Sequence, residues 1–139
     1  MLDASAIVEL VLREEKIFNS IDLHVIELTK YECLNAVWKL VKRGIVTELE
    51  GAVLGRRIYE VLNTIDMITI GLESMMEVLK LALETGLTVY DASYLYVAKD
   101  RGLILVSEDE ELTKKAIKYG VKALNVAEFL AMIKGSLHG

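Results

Sequence analysis

The chain has 139 residues, 53% hydrophobic and 27% charged, with a net charge of -5, one cysteine and no proline. That length predicts one domain over residues 1–139, able to bury roughly two thirds of the surface its unfolded form exposes. It excludes an intramolecular disulfide, a thiolate metal cluster and a general nucleic-acid coat, and no apolar run approaches the roughly 18 residues of a membrane span.

In chain order, "MLDAS" is a short apolar entry that runs into a helix carrying Ile7, Val8, Leu10 and Val11. An extended piece over Leu23 to Ile26 precedes a helix whose apolar residues Leu34, Val37, Trp38 and Val41 recur at i, i+3, i+4 and i+7. Gly44 is placed to end it, after the dipole-complementing Lys42 and Arg43. The next helix opens on "TELE", a capping box of Thr47 and Glu50, carries Leu54, Ile58, Val61 and Leu62, and ends near Asn63. "MITIG" then reads as a buried strand, and "LESMMEVLKLALETG" as a helix with Met75, Val78, Leu79 and Ala82 inward.

The helix opened by "TVYD" is apolar apart from Ser93 and Asp91 from Val89 to Ala98. A buried, unpaired carboxylate there costs several kcal/mol, so Asp91 requires a partner. After it, "GLILVS" is the continuous apolar run of a strand covered on both faces. "EDEELTKKAIKYG" is a helix, "VKAL" a last strand, and "VAEFLAMIKG" a last helix with Val126, Phe129, Leu130 and Ile133 in phase. Alternating strands and helices predict an α/β sandwich around a largely parallel sheet, with its ligand site just outside the carboxyl ends of the strands.

Asp3 follows the first strand, Ser107 and Asp109 follow the "LILV" strand, and Glu32 and Asp91 fall in the first turns of two helices. Convergence of these four acids would set like charges against each other at roughly 3 kcal/mol per pair, for separations near 5 Å and an effective dielectric near 20. Acids held that close titrate upward or bind a cation, and oxygen-only ligands select a hard ion such as Mg²⁺ or Mn²⁺. Each position also has a plainer reading. "TKYE" and "TVYD" fit the helix-start pattern, Asp3 fits a loop acid or an N-cap, and Asp109 in "SEDEE" fits a solvated acidic first turn. Asn35 is either a carboxylate or phosphate partner or a helix-surface amide.

Taken together, these motifs resemble a PIN domain, and more specifically the VapC-type toxins of prokaryotic toxin-antitoxin pairs. "LDAS" resembles the family's first-strand aspartate motif, "YECLNAVWKL" its Glu-x-x-Asn-Ala helix and "YDASYLYVAK" its Asp-Ala helix. "LILVSEDEEL" resembles the strand that ends in Ser/Thr-x-Asp before an acidic turn. The resemblance implies a three-layer α/β/α sandwich with a mainly parallel five-stranded sheet. It makes Asp3, Glu32, Asp91 and Asp109 the metal-binding acids and Ser107 the small hydroxyl that orients them or a water. It implies a cytoplasmic, homodimeric, Mg²⁺- or Mn²⁺-dependent endoribonuclease in which a metal-activated water attacks an RNA phosphodiester, inhibited by a small antitoxin protein.

RNA approaching an acidic protein needs local cations, and Lys39, Lys42, Arg43, Arg56 and Arg57 form the densest basic group, though such charges are commonly solvated. Tyr90, Tyr94 and Tyr96 are candidates for base stacking, and His24 and His138 are too widely separated to act as a general base. A second reading is a PIN-like interaction module with a weak metal site, motivated by the two residues, Met1 and Leu2, that lead into Asp3. A haloacid-dehalogenase phosphatase needs a second aspartate where Ser5 stands, and a response-regulator receiver needs a phosphoacceptor aspartate with a later lysine, which the chain lacks.

Overall fold

The computed structural model describes residues 1–138, which fall into two compact units: Leu2–Thr69, and Met1 together with the residues from Ile70 on. The architecture is α/β and mostly helical, with all strand pairing parallel. Where one sheet is expected from the sequence, the described residues show two two-stranded ladders.

In the Leu2–Thr69 unit, α1 (Ala4–Leu12) buries Ala6, Ile7, Leu10 and Val11. β1 (His24–Ile26) pairs with β2 (Asp66–Ile68) in the register His24 to Asp66 and Ile26 to Ile68, and the Leu2 N–H donates to the His24 carbonyl. The predicted buried strand at "MITIG" is instead short, and its Asp66 and Met67 are exposed, because β2 has a ladder partner only in β1 within this unit. α2 (Glu27–Lys42) and α3 (Glu48–Leu62) pack on each other and on α1. Gly51 permits that approach: a Cβ there would come within 2.6 Å of the Val41 side chain.

The inward face of α2 is not the predicted one. Thr29, Cys33 and Val37 are buried, whereas Leu34 and Trp38 are more than half exposed. The i, i+3, i+7 spacing of Leu34, Val37 and Val41 is helical, but a second stripe, Thr29, Cys33 and Val37, is equally periodic and is the one α1 and α3 cover. The start of α2 also differs. "TKYE" does not cap it; the helix begins two residues before Thr29, whose hydroxyl accepts a 3.2 Å bond from the Ile26 N–H. Glu32 therefore lies in the second turn. At α3 the capping box is as expected, with Thr47 and Glu50 exchanging backbone-to-side-chain bonds of 3.0 and 3.1 Å that hold the Glu50 carboxyl below its usual range.

The other unit contains a 3-10 turn (Leu72–Ser74), α4 (Met75–Thr85), α5 (Val89–Arg101), β3 (Leu105–Val106), α6 (Glu110–Lys118), β4 (Ala123–Leu124) and α7 (Val126–His138). β3 pairs with β4, and Met1 runs beside β3, its ammonium donating to the Ile104 carbonyl at 2.8 Å and its carbonyl accepting from the Val106 N–H. Gly86 and Gly102 end α4 and α5 in the left-handed conformation that such stops favour. α5 is the core helix, burying Ala92, Ser93, Tyr94, Leu95, Val97 and Ala98. α7 buries Val126, Phe129, Leu130 and Ile133, as their spacing predicts. On α4, by contrast, only Val78 and Ala82 are buried; Met75 and Leu79, expected inward, face solvent because α5 covers one narrow side of the helix. No helix among the described residues is long and apolar enough to cross a membrane.

Candidate functional site

Three of the predicted acids stand at helix starts. Asp3 is the N-cap of α1: the chain leaves Leu2 extended, and the Asp3 Oδ1 accepts from the Ala6 N–H at 2.9 Å and the Ser5 hydroxyl at 2.7 Å. Only 6% of Asp3 is exposed. A side-chain oxygen at that position satisfies one of the helix's orphan donors, and the positive end of the helix dipole favours the ionised form. Ser5, which enters the sequence reading only as a departure from the dehalogenase pattern, is thus a direct partner of Asp3. The D-x-S spacing at a helix start is the signal that could have found it.

Glu32, half-buried on α2, belongs to the same unit as Asp3. Their common neighbour is Cys33, fully buried with its thiol 3.9 Å from the Ala4 carbonyl. Its pKa is pushed up to about 12, first by burial and then by the charges of Asp3 and Glu32. Two carboxylates therefore act on one sulfur, which marks a negative spot on this unit. The raised pKa also makes Cys33 inert. Relative to the ordinary value of 9.0, its thiolate fraction at pH 8 falls by about a thousandfold. Native protein is expected to leave a thiol-reactive chromophore untouched at pH 8 and to react with one equivalent only after denaturation; prompt reaction of the native chain would contradict the buried placement.

In the second unit, "TVYD" is a true helix start. The Thr88 hydroxyl caps α5 by accepting from the Asp91 N–H at 3.1 Å, so Asp91 is the third helical residue and is half-buried. Ser93 satisfies its own hydroxyl on the Val89 carbonyl at 2.8 Å, which lets it sit in the core face of α5. Ser107, 1% exposed, ends β3 with its N–H on the Leu124 carbonyl, and its Oγ accepts from the Asp109 N–H at 3.0 Å. Asp109 in turn is the exposed N-cap of α6, and its Oδ1 alone takes the Glu111 and Leu112 N–H bonds at 2.9 and 3.2 Å. Ser107 thus fixes the backbone from which Asp109 projects.

Among the described residues no group of three or more His, Cys, Asp or Glu side chains is arranged to hold a metal ion. The grouping that is visible is the Asp3 and Glu32 pair about Cys33. Its donors are all oxygen, as are those of Asp91, Ser107 and Asp109, and that chemistry suits a hard cation.

The supporting residues divide clearly. Asn35 is exposed on α2. Arg56 pairs with Glu60 at 3.2 Å and Arg57 with Glu14 at 3.4 Å, while Lys39 and Lys42 lie in the last turn of α2, where the dipole favours them. Tyr94 is 1% exposed and has no face to offer a base; Tyr96 bonds the Ser74 hydroxyl at 3.0 Å; Tyr90 is 59% exposed.

Comparison with known proteins places these features in a family. Residues 1–118 match the model of the PIN domain. The chain is 40% identical over 116 residues to a Pyrobaculum aerophilum protein named Exonuclease VapC9, covering 83% of this chain and 84% of that one. It is 33% identical over 126 residues to Ribonuclease VapC3 of the same organism, covering 83% and 92%. A crystal structure of PAE2754 from Pyrobaculum aerophilum superposes with a TM-score of 0.81 at 36% identity, over 96% of this chain and 95% of that one. With the aspartate-capped first helix, the Glu-x-x-Asn-Ala helix, the Asp-Ala helix and the Ser-x-Asp turn all within the matched span, the chain belongs to the PIN domain family.

Proposed function

We propose that this chain is a Mg²⁺- or Mn²⁺-dependent endoribonuclease, the toxin of a toxin-antitoxin pair, acting in the cytoplasm as a homodimer and restrained by a small antitoxin protein. The observation that carries this reading is the PIN match over residues 1–118, which contains all four acids and joins the chain to relatives named as nucleases. Because that span runs through both compact units, we take residues 1–139 as one domain with the five-stranded, three-layer architecture of the resemblance.

Asp3, Glu32, Asp91 and Asp109 are the proposed ligands. Capping supports the assignment in a specific way. At Asp3 and Asp109 the backbone bonds fall on Oδ1, which orients each carboxylate. Ser107 acts as a positioning residue, holding the Asp109 main chain through the bond to its N–H. When bound, a divalent cation supplies Lewis acidity, lowering the pKa of water and offsetting charge that develops on the phosphodiester. Phosphate contacts beyond the proposed ligands fall to Lys39, Lys42 and Arg43, the cations at the end of α2.

One relative's name favours a second reading, an exonuclease. A closed circular RNA separates them, since only internal cleavage opens a circle. Incubated with the purified chain and Mn²⁺, the circle is expected to be cut, EDTA to stop cutting, and excess Mn²⁺ to restore it. Digestion of linear but not circular RNA would establish the exonuclease, and indifference of both RNAs at every metal concentration would leave the interaction module.

A further inference from the structure

Along α2 the proposed ligand Glu32 is followed, two and three turns on, by Lys39 and Arg43. At 100° per residue both fall within about 20° of Glu32 around the helix, and at 1.5 Å per residue they lie about 10.5 and 16.5 Å from it along the axis. Arg43 is the C-cap, yet its N–H still donates to the Lys39 carbonyl at 3.0 Å, so it keeps the helical spacing. The other sides of α2 are different in kind. Thr29, Cys33 and Val37 are buried, and Tyr31, Leu34 and Trp38 make an exposed aromatic and apolar side. Glu32, Lys39 and Arg43 form a polar line between the two.

The charge along that line is a local inversion. The chain carries a net charge of -5, but no acidic residue occurs from Cys33 to Thr47. Lys39 and Arg43 are exposed and have no ion-pair partner among the described residues, in contrast to Arg13, Arg56, Arg57 and Lys115, which all do. Cations left without a carboxylate, on a line that starts at a ligand for the scissile phosphate, suit further phosphates of the same molecule. They stand about 6 Å apart along the axis, the scale of neighbouring phosphates on an extended strand, and a line one side chain wide tracks one backbone rather than two. We propose that the Glu32, Lys39 and Arg43 side of α2 is the path of a single-stranded RNA, on which Lys39 and Arg43 hold phosphates about two and three nucleotides to one side of the cut. This rests on the nuclease reading above and adds the form of RNA bound and the course of its strand. Lys42 stands about 80° round from Glu32, its ammonium 5.8 Å from the centre of the Trp38 ring, and flanks the path.

Anisotropy of a fluorescent single-stranded RNA, titrated with the full chain in EDTA over a range of salt, reads the path without cleavage. Lys39→Ala with Arg43→Ala should weaken binding about tenfold or more at low salt and reduce the slope of log K against log salt by about 1.4, or about 0.7 for each phosphate contact. Both side chains are exposed, so the circular dichroism spectrum and melting temperature should not move. The exchange Lys39→Arg with Arg43→Lys keeps both charges and should restore the slope. Lys30→Ala, about 160° round from Glu32 and with its ammonium over the Tyr31 ring, should change neither affinity nor slope. With Mn²⁺ the double alanine variant should raise KM by a similar factor and leave kcat within about twofold. Trimming a linear RNA about its mapped cut should weaken wild-type binding once fewer than about three nucleotides remain on one side, and the double variant should be indifferent to that trimming. A wild-type chain that binds no single-stranded RNA, a slope that the double variant leaves unchanged, an equal loss in Lys30→Ala, or a length dependence that survives the double variant overturns the path. The expected slope change in a chain that cuts no RNA overturns the nuclease reading and keeps the path.

Discussion

Replacing Asp3 and Asp91 together by Asn is expected to lower RNA cleavage by about a thousandfold or more without unfolding the protein. The proposed site draws several kcal/mol of transition-state stabilisation from its cation, and each 1.36 kcal/mol is a factor of ten in rate. Amides remove the charge that holds the ion and keep the shape. The fold should tolerate the exchange for a reason visible in the bonds. The Ala6 N–H bond that caps α1 falls on the Asp3 Oδ1, which Asn keeps, and Asn is as good an N-cap as Asp. Asp91 contributes its backbone N–H to the Thr88 cap, a donor that Asn keeps. The measurement pairs initial cleavage rates with urea unfolding. Unchanged cleavage in the folded double variant would remove both residues from the chemistry, whereas loss of folding together with activity would make them structural. Binding of Mn²⁺ followed by calorimetry supplies a second readout, with saturable heat in the wild type and none in the variant.

Tyr94→Ala is expected to destabilise the chain by about 3–5 kcal/mol, a large part of a domain's total stability of roughly 5–15 kcal/mol. Tyr94 is 1% exposed on the inward face of α5, flanked there by the buried Leu95, Val97 and Ala98. Its removal leaves a ring-sized void that close-packed neighbours fill only partly. The urea midpoint should fall with little change in slope. Tyr90, four residues earlier and 59% exposed, provides the contrast: Tyr90→Ala should move stability by no more than about 0.5 kcal/mol. Equal effects at the two positions would mean that α5 does not present the face described here. For RNA binding the expected order reverses, because only Tyr90 offers a ring to a base.

Much of the local structure around the candidate residues was legible because its determinants are local. The caps at Asp3, Thr47 and Thr88 each close within four residues, and the side chain that caps is adjacent in sequence to the helix it starts; Asp109, read as a first-turn acid, is instead the N-cap of α6. The same holds for the stops at Gly86 and Gly102, where a backbone with positive φ excludes most other residues. "TKYE" shows the limit of such reading. Its pattern is that of a cap, yet β1 runs directly into α2, so the helix is already under way at Thr29 and the hydroxyl turns back to Ile26 instead.

Sequence alone determined which segments of this protein are helices, how its strands alternate with them, and that Asp91 stands in the first turn of a helix. Tertiary structure decided which side of α2 and of α4 is buried: Thr29, Cys33 and Val37 without Leu34 and Trp38 on α2, and Val78 and Ala82 without Met75 and Leu79 on α4. The reason is physical. A cap or a turn is an interaction between near neighbours in the chain, whereas burial depends on what a distant segment brings against a helix, and two stripes of equal period are indistinguishable until that segment arrives.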